Sequence, residues 1–339
     1  MMKSTLSDIA KNAGVSPSTV SLVLSGKGKI SEAVQLKVKA AAVDLGYKKG
    51  PATSSSKSSS IAILFHFDHN LAHTWNILRQ VTLKLDEYMA RNDYLTLLIP
   101  ITFDMSDDEI FRKVIDSRAV AVFSMHFGRE SLFARLEGLS IPVVVIINSQ
   151  FQTKFHTVCA DNFQGSYEAT SQLLRLGHRN IIYAEFDIFQ LPATLSDRYL
   201  GFYKAMKEHD VDLPEASKLH LDIANGEDIR MKFKAIFSGK DRPTAILFVD
   251  DYLAAHSIGI LEELGLSCPA DISIIASGEV LDYNEPYIPK ITTMSTSPEL
   301  LGKFSAEMML ALFETTPVNT HVLKIKQQLV DRGSCKSLS

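Results

Sequence analysis

The chain has 339 residues, 46% of them hydrophobic and 22% charged, with a formal net charge of −4, enough for a large core plus a small extra module. There is no apolar run of about 18 residues to span a bilayer, and the N-terminus "MMKSTLSDIAKNAG" places Asp8, Lys11 and Asn12 where an export signal needs unbroken apolar residues. A cytoplasmic protein with no membrane partner is expected. Cys159, Cys268 and Cys335 are odd in number and far apart, which argues against a disulfide framework or a cysteine-based zinc site.

The net charge hides an asymmetry. Residues 1–60 hold nine lysines against Asp8, Glu32 and Asp44, a net +6, which leaves −10 for the rest. A basic head on an acidic body directs only the head toward a polyanion, although a lysine-rich solvated face is the plainer alternative. Within the head, "TLSDIAKNAG" predicts a helix capped by Thr5, with Leu6, Ile9, Ala10 and Ala13 on one face and Gly14 as its stop. In "GVSPSTVSLVLSG", Ser16 is an N-cap and Pro17 takes the first helical position, where a missing N–H costs nothing. Val20, Val23 and Leu24 should face inward, leaving Ser18, Ser21, Leu22 and Ser25 outside, and Gly26 closes the helix. "ISEAVQLKVKAAAVDLGY" predicts a third helix capped by Ser31, with Val34, Val38, Ala41 and Leu45 inward.

Three helices with a tight turn between the first two make a helix-turn-helix, whose second helix enters a major groove about 12 Å wide. The small hydroxylated outer face suits that approach, and Lys27 and Lys29 of "GKGK" are the expected phosphate partners. "GKGK" lacks the remaining parts of a dinucleotide fingerprint or a P-loop. The stretch from Thr5 to Tyr47 resembles the DNA-binding head of the lactose-repressor (LacI/GalR) family of bacterial transcription regulators. The resemblance implies that Pro17, Ser18 and Leu22 read bases, and that Thr5, Ser7, Ser16, Thr19, Ser21, Ser25 and Ser31 hold phosphates. Many relatives have Arg where this chain has Leu22; a leucine makes only apolar contact, for instance with a thymine methyl.

A Ser-rich linker follows over residues 48–60. The family's linker commonly forms a short hinge helix with an apolar wedge in the minor groove. Here residues 48–60 contain no leucine, and Gly50, Pro51 and the serines make a poor helix. The expectation is a flexible tether and weaker kinking of DNA.

From Ile61 onward, strand and helix signals alternate. "IAILF", "YLTLLIP", "AVAVFSM" and "PVVVII" are short buried-strand runs separated by helical stretches, and a second series runs through "TVCAD", "NIIYAEF", "SKLHLDI", "TAILFVD" and "ISIIASG". This predicts an α/β body of two doubly wound halves, each a parallel sheet covered on both faces. Ligands of such sheets sit beyond the carboxyl ends of the strands, which puts the loops holding Asp68 and His69, His126, Phe186 and Asp250 along a cleft. The body, residues 61–339, also resembles the family's periplasmic-binding-protein-like domain, through "DNFQGSYEATSQLLRLGHRNI", "SDRYLGF" and "ITTMSTSPELLGKFSAEMML" among others. Family topology implies a first half of about 61–160 and 289–321 and a second of about 161–288 and 322–339.

The resemblance implies that Arg198 holds effector hydroxyls or carboxylates, as its fork of donors allows. Asp250 stands where many relatives have a ligand-binding Asn, yet an Asp there also caps the following helix. Asp161 has the same ambiguity, with capping favoured. Gly278 replaces a frequent ligand-binding Asp, and Glu279 could substitute only if the loop is rearranged. Trp75, the only tryptophan, either stacks on a sugar face or packs in the core. His66, His69 and His73 with Asp68 line the ligand, or form a solvated loop; a metal site is the weakest of the three readings because the spacing crosses a strand-to-loop boundary. With no G-x-S-x-G elbow, P-loop or metalloprotease motif, and no cofactor fingerprint, an enzyme is disfavoured. The expected partners are double-stranded operator DNA, a small-molecule effector of the carbohydrate class, and a second copy of the chain, since one recognition helix covers only a half-site.

Overall fold

The computed structural model describes residues 6–24, 30–44, 59–66, 74–102, 104–187, 193–315 and 319–338. The chain divides into two units, Met1–Lys57 and Ser58–Ser339. The first holds α1 (Leu6–Ala13), α2 (Pro17–Leu24) and α3 (Glu32–Asp44). Gly14, with φ at +66°, takes the left-handed conformation that turns the chain out of α1. Ile9, Ala10, Val20, Val23, Val38, Ala41 and Ala42 form its core. Leu6 is 37% exposed and does not join them. The side chains of Leu24 and Leu45, the Thr5 cap and the tether over 48–58 lie outside the described residues.

In the second unit, one sheet contains β1 (Ser59–His66), β2 (Tyr94–Ile101), β3 (Ala121–Met125), β4 (Val143–Ile146), β5 (His156–Ala160) and β11 (Val322–Ile325), in the order β11-β5-β4-β3-β1-β2. All its neighbours are parallel. Alternate residues of β1 serve two cores. Ile61 and Ile63 pack with α4 (Trp75–Ala90) and α11 (Pro298–Glu314), while Ala62 and Leu64 pack with α5 (Asp107–Asp116) and α6 (Glu130–Glu137). Ser59 and Ser60, expected in the linker, belong to β1. They pair with Tyr94 and Leu95, and the Ser60 carbonyl accepts from Val120 N at 2.8 Å, so the ladder runs past the apolar stretch that signalled it.

The other sheet has the order β12-β10-β9-β8-β6-β7, formed by β6 (Ile181–Phe186), β7 (Lys218–Leu221), β8 (Ala245–Phe248), β9 (Ser273–Ala276), β10 (Thr292–Ser295) and β12 (Gln328–Val330). Only β12 runs antiparallel to its neighbour. The helices accompanying this sheet are α7 (Asn162–Arg175), α8 (Ala193–Glu208), α9 (Gly226–Phe237) and α10 (Asp251–Glu263). Tyr183, Phe202, Phe233 and Phe248 fill its core.

Two half-boundaries expected from the sequence require correction. The return placed near Pro289 occurs after β10, at Thr296–Ser297, because β10 pairs with β9 in the second sheet. The last crossing, placed near Val322, occurs at Lys326–Gln327, because β11 lies beside β5 in the first sheet. Both strands are too short and too polar to carry an apolar signal: β10 reads Thr-Thr-Met-Ser, and β11 exposes Val322 and Lys324.

Candidate functional site

In the head, the Ser16 hydroxyl accepts from the backbone N–H of Thr19 at 3.1 Å and lies 2.9 Å from Ser18 Oγ and 2.8 Å from Thr19 Oγ1. It therefore fixes the first turn of α2, with Pro17 at N1, and places hydroxyls on the exposed face. Ser7, Ser16, Pro17, Ser18, Ser21 and Ser31 are exposed, Thr19 is half-buried, and Leu22 keeps 40% of its surface exposed beside the buried Val20 and Val23. Leu22 is thus an outward-facing residue of the second helix. Thr5, Ser25, Lys27 and Lys29 lie outside the described residues.

In the body, the sequence-predicted residues divide into those that meet and those committed elsewhere. Asp161 caps α7, accepting from Gln164 N at 3.1 Å, while its own N–H donates to Ile325 O at 2.8 Å. Asp250 caps α10, accepting from Leu253 N at 2.9 Å, and is buried. Arg198, half-buried on α8, donates from Nε to Asn162 Oδ1 at 3.0 Å and from Nη1 to the Val249 carbonyl at 2.7 Å. Burial lowers its affinity for a proton, and the nearby Asp250 carboxylate opposes that effect. The guanidinium lies over Gly278, where an added Cβ would come within 2.6 Å of Nη2. Asn162, Arg198, Val249, Asp250 and Gly278 thus form one cluster at the carboxyl ends of β5, β8 and β9.

Glu279 turns away from this cluster into a network of its own. It pairs with Arg332 at 2.8 Å, accepts from Ser295 Oγ at 3.2 Å and from the Thr293 hydroxyl, and Arg332 stacks 3.6 Å from the Tyr283 ring centroid. A carboxylate so occupied fastens the loop after β9 to β10 and the C-terminal segment, and it does not stand in for the side chain missing at 278. His66 ends β1 as a buried residue stacked on Phe127 at 6.0 Å, not as a loop residue. Trp75 is half-buried at the first position of α4. His126 follows β3 with φ at +55°, its N–H donating to Ile146 O at 2.9 Å, and Phe186 ends β6 against the second core. Asp68, His69 and His73 lie outside the described residues. Among the described residues no group of three or more histidine, cysteine or acidic side chains could hold a metal.

Four residues, Ser149, Asp197, Asp251 and Asn162, have a place here that the sequence did not assign them. Ser149, after β4, donates to Asp197 Oδ2 of α8 at 3.2 Å, joining the two halves across the cleft. Asp251, fully buried, accepts from Val280 N at 2.8 Å and Leu281 N at 3.2 Å and so holds the loop after β9. Its pKa is pushed up to about 7, by burial first and then by Asp250. Asn162, whose amide orients Arg198, is also buried. Asp197 and Asp251 each adjoin a residue singled out from the sequence, but neither shows its partner without the fold.

Residues 5–49 match the model for bacterial regulatory proteins of the lacI family, and residues 170–335 match the periplasmic binding protein-like domain. The chain is 28% identical over 337 residues to the HTH-type transcriptional repressor PurR of Pectobacterium carotovorum subsp. carotovorum (strain PC1), covering 97% of this chain and 96% of that one. It belongs to the lacI family. Two solved structures share the fold: the transcriptional regulator CelR in complex with cellobiose (TM-score 0.68, 18% identity, covering 98% of this chain and 100% of that one) and the lac repressor dimer bound to operator and the anti-inducer ONPF (0.66, 20%, 99% and 100%). As a lacI-family protein the chain is a DNA-binding transcription regulator with an effector-binding body. No helix among the described residues is long and apolar enough to cross a membrane.

Proposed function

We propose that the protein is a cytoplasmic, dimeric repressor that reads a two-fold symmetric operator through α2 and answers to a small molecule, of the carbohydrate class, in the cleft of its body. The observation that carries this reading is the outer face of α2, where a Ser16-capped helix presents Ser18, Ser21 and the 40% exposed Leu22 on a head of net charge +6. Such a face meets phosphates with its hydroxyls and one base edge with its leucine. The relatives favour the same reading, one bearing the name repressor, one holding operator DNA and one holding cellobiose. Dimerisation is supported by Leu83 on α4 and by Leu95 and Leu98 on the edge strand β2, each more than half exposed; an apolar sheet edge of this kind needs a partner.

In this reading Arg198, Asn162 and Asp250 form the effector side of the second half, and the Ser149–Asp197 bond is one that opening of the cleft breaks. The test is selection of operator sequences with the full chain, followed by gel shifts at several salt concentrations. Symmetric half-sites with affinity falling steeply as salt rises are expected. Sites without symmetry, or affinity indifferent to salt, would refute the reading.

A further inference from the structure

We infer that Cys268 and Cys335 form a redox modification site, at which a low-molecular-weight disulfide oxidises the two thiols to a reversible bond tying the C-terminal segment to the loop between α10 and β9. The two residues are far apart in the chain, and the fold brings them to one spot. Cys335 Sγ donates to the Ile274 carbonyl at 3.2 Å, Cys268 Sγ donates to the Ser334 carbonyl at 3.4 Å, and Ile274 N donates to that same Ser334 carbonyl at 2.8 Å. Both sulfurs therefore lie against one main-chain couple near the start of β9, and each is only partly buried. They are close enough that negative charge on Cys268 raises the pKa of Cys335. Cys159 is fully buried on β5 of the other sheet and takes no part.

Closing the bond strands no polar group. The Ser334 carbonyl keeps Ile274 N, and the Ile274 carbonyl keeps the Ser334 hydroxyl at 2.6 Å, so both acceptors stay satisfied when the thiol protons leave. The segment is already fixed by Thr292 N to Ser334 Oγ at 2.8 Å and Lys336 N to Ser273 Oγ at 3.0 Å, so little further ordering is required. The ring that closes runs through β9, α11, β11 and β12 and contains both later crossings between the halves. A ring of that length removes much freedom from the unfolded chain.

The exchange balances as follows. The thiolate of one cysteine attacks a sulfur of the small disulfide, forming a mixed disulfide and expelling one small thiolate. The second cysteine attacks the protein sulfur of that mixed disulfide and expels the other. The protein loses two protons and two electrons, and the small disulfide becomes two thiols. Burial pushes the Cys268 thiol up to about 11 and the Cys335 thiol up to about 12. Only the thiolate attacks, so the site answers slowly, to sustained rather than momentary oxidation.

The test incubates the full-length protein with oxidised glutathione and maps its peptides by mass spectrometry without reduction. The expected product is one bond within the chain, joining the Cys268 and Cys335 peptides, reversed by dithiothreitol. Its rate of formation should rise about 10-fold per pH unit between about pH 7 and 9, and the oxidised protein should melt about 5 °C or more above the reduced one. Cys268→Ser should instead hold glutathione on Cys335, because the resolving thiol is gone. Glutathione that stays on either cysteine of the wild type, a bond joining two copies, or a bond that lowers the melting temperature overturns the inference. So does failure to react where the urea-unfolded chain reacts.

Discussion

Asp251→Asn is the most informative single change, because it couples the cleft loop to pH. The buried Asp251 carboxyl has its pKa raised from the ordinary 3.8 to about 7. Between those values the folded state keeps a proton that the unfolded chain has released, so the folded state binds more protons and its stability falls as pH rises. The span of about three units corresponds to roughly 4 kcal/mol, fully present below pH 4 and lost by the time pH passes 7. Asparagine cannot ionise, so the variant should lack this slope. It carries instead a pH-independent cost of about 1–3 kcal/mol, since its amide nitrogen faces one of the N–H groups of Val280 and Leu281. Buried His178 acts with the opposite sign: burial lowers its pKa, so its contribution is lost as pH falls. Only the difference between wild type and variant therefore isolates Asp251. Urea unfolding of both proteins at half-unit steps from pH 4.5 to 8 measures it. Stability profiles that run parallel across that range would refute the reasoning.

Other changes probe the remaining parts. Ser16→Ala removes the acceptor for Thr19 N and should cost about 1 kcal/mol of α2 stability, read as faster amide exchange in residues 17–24 and weaker operator binding in gel shifts. Glu279→Ala strands the largely buried Arg332 and should lower global stability by about 3 kcal/mol, measured by denaturant unfolding. The double change Leu95→Asp, Leu98→Asp puts charge on the exposed β2 edge; sedimentation velocity should show a monomer.

The head was legible because its signals are local. Gly14, Ser16 and Pro17 act within one turn of where they stand, and the structure places α1 and α2 on either side of them. The alternation of strands and helices was equally plain, because "IAILF" or "TAILFVD" is apolar through its whole length. What remained hidden depends on partners distant in sequence. Glu279 adjoins the Arg198 cluster in the chain, but its binding is decided by Arg332, 53 residues on. Asp161 and Asp250 illustrate a milder limit. An acid at a strand end serves a helix or a ligand with the same chemistry, and only the hydrogen bonds to Gln164 N and Leu253 N reveal the cap.

The crossings between the two halves hold one more consequence of such distant pairing. Gln164, just after the first crossing, accepts from Gln327 N at 2.9 Å and donates to Gln327 O at 3.3 Å in the third. Gln327 in turn donates to Thr296 Oγ1 of the second at 3.1 Å. Gly165 permits this approach, since a Cβ there would meet Gln327 Oε1 at 1.5 Å. Three strands of chain that must bend together when the cleft opens are thereby tied at one point. Gln164→Ala removes two of the ties, at about 1 kcal/mol each, without touching Arg198 or the head. If the knot sets the balance between open and closed cleft, the variant should show a broader small-angle scattering distance distribution than wild type and altered effector affinity. An unchanged distribution with only a lower melting temperature would make the knot a source of stability and nothing more.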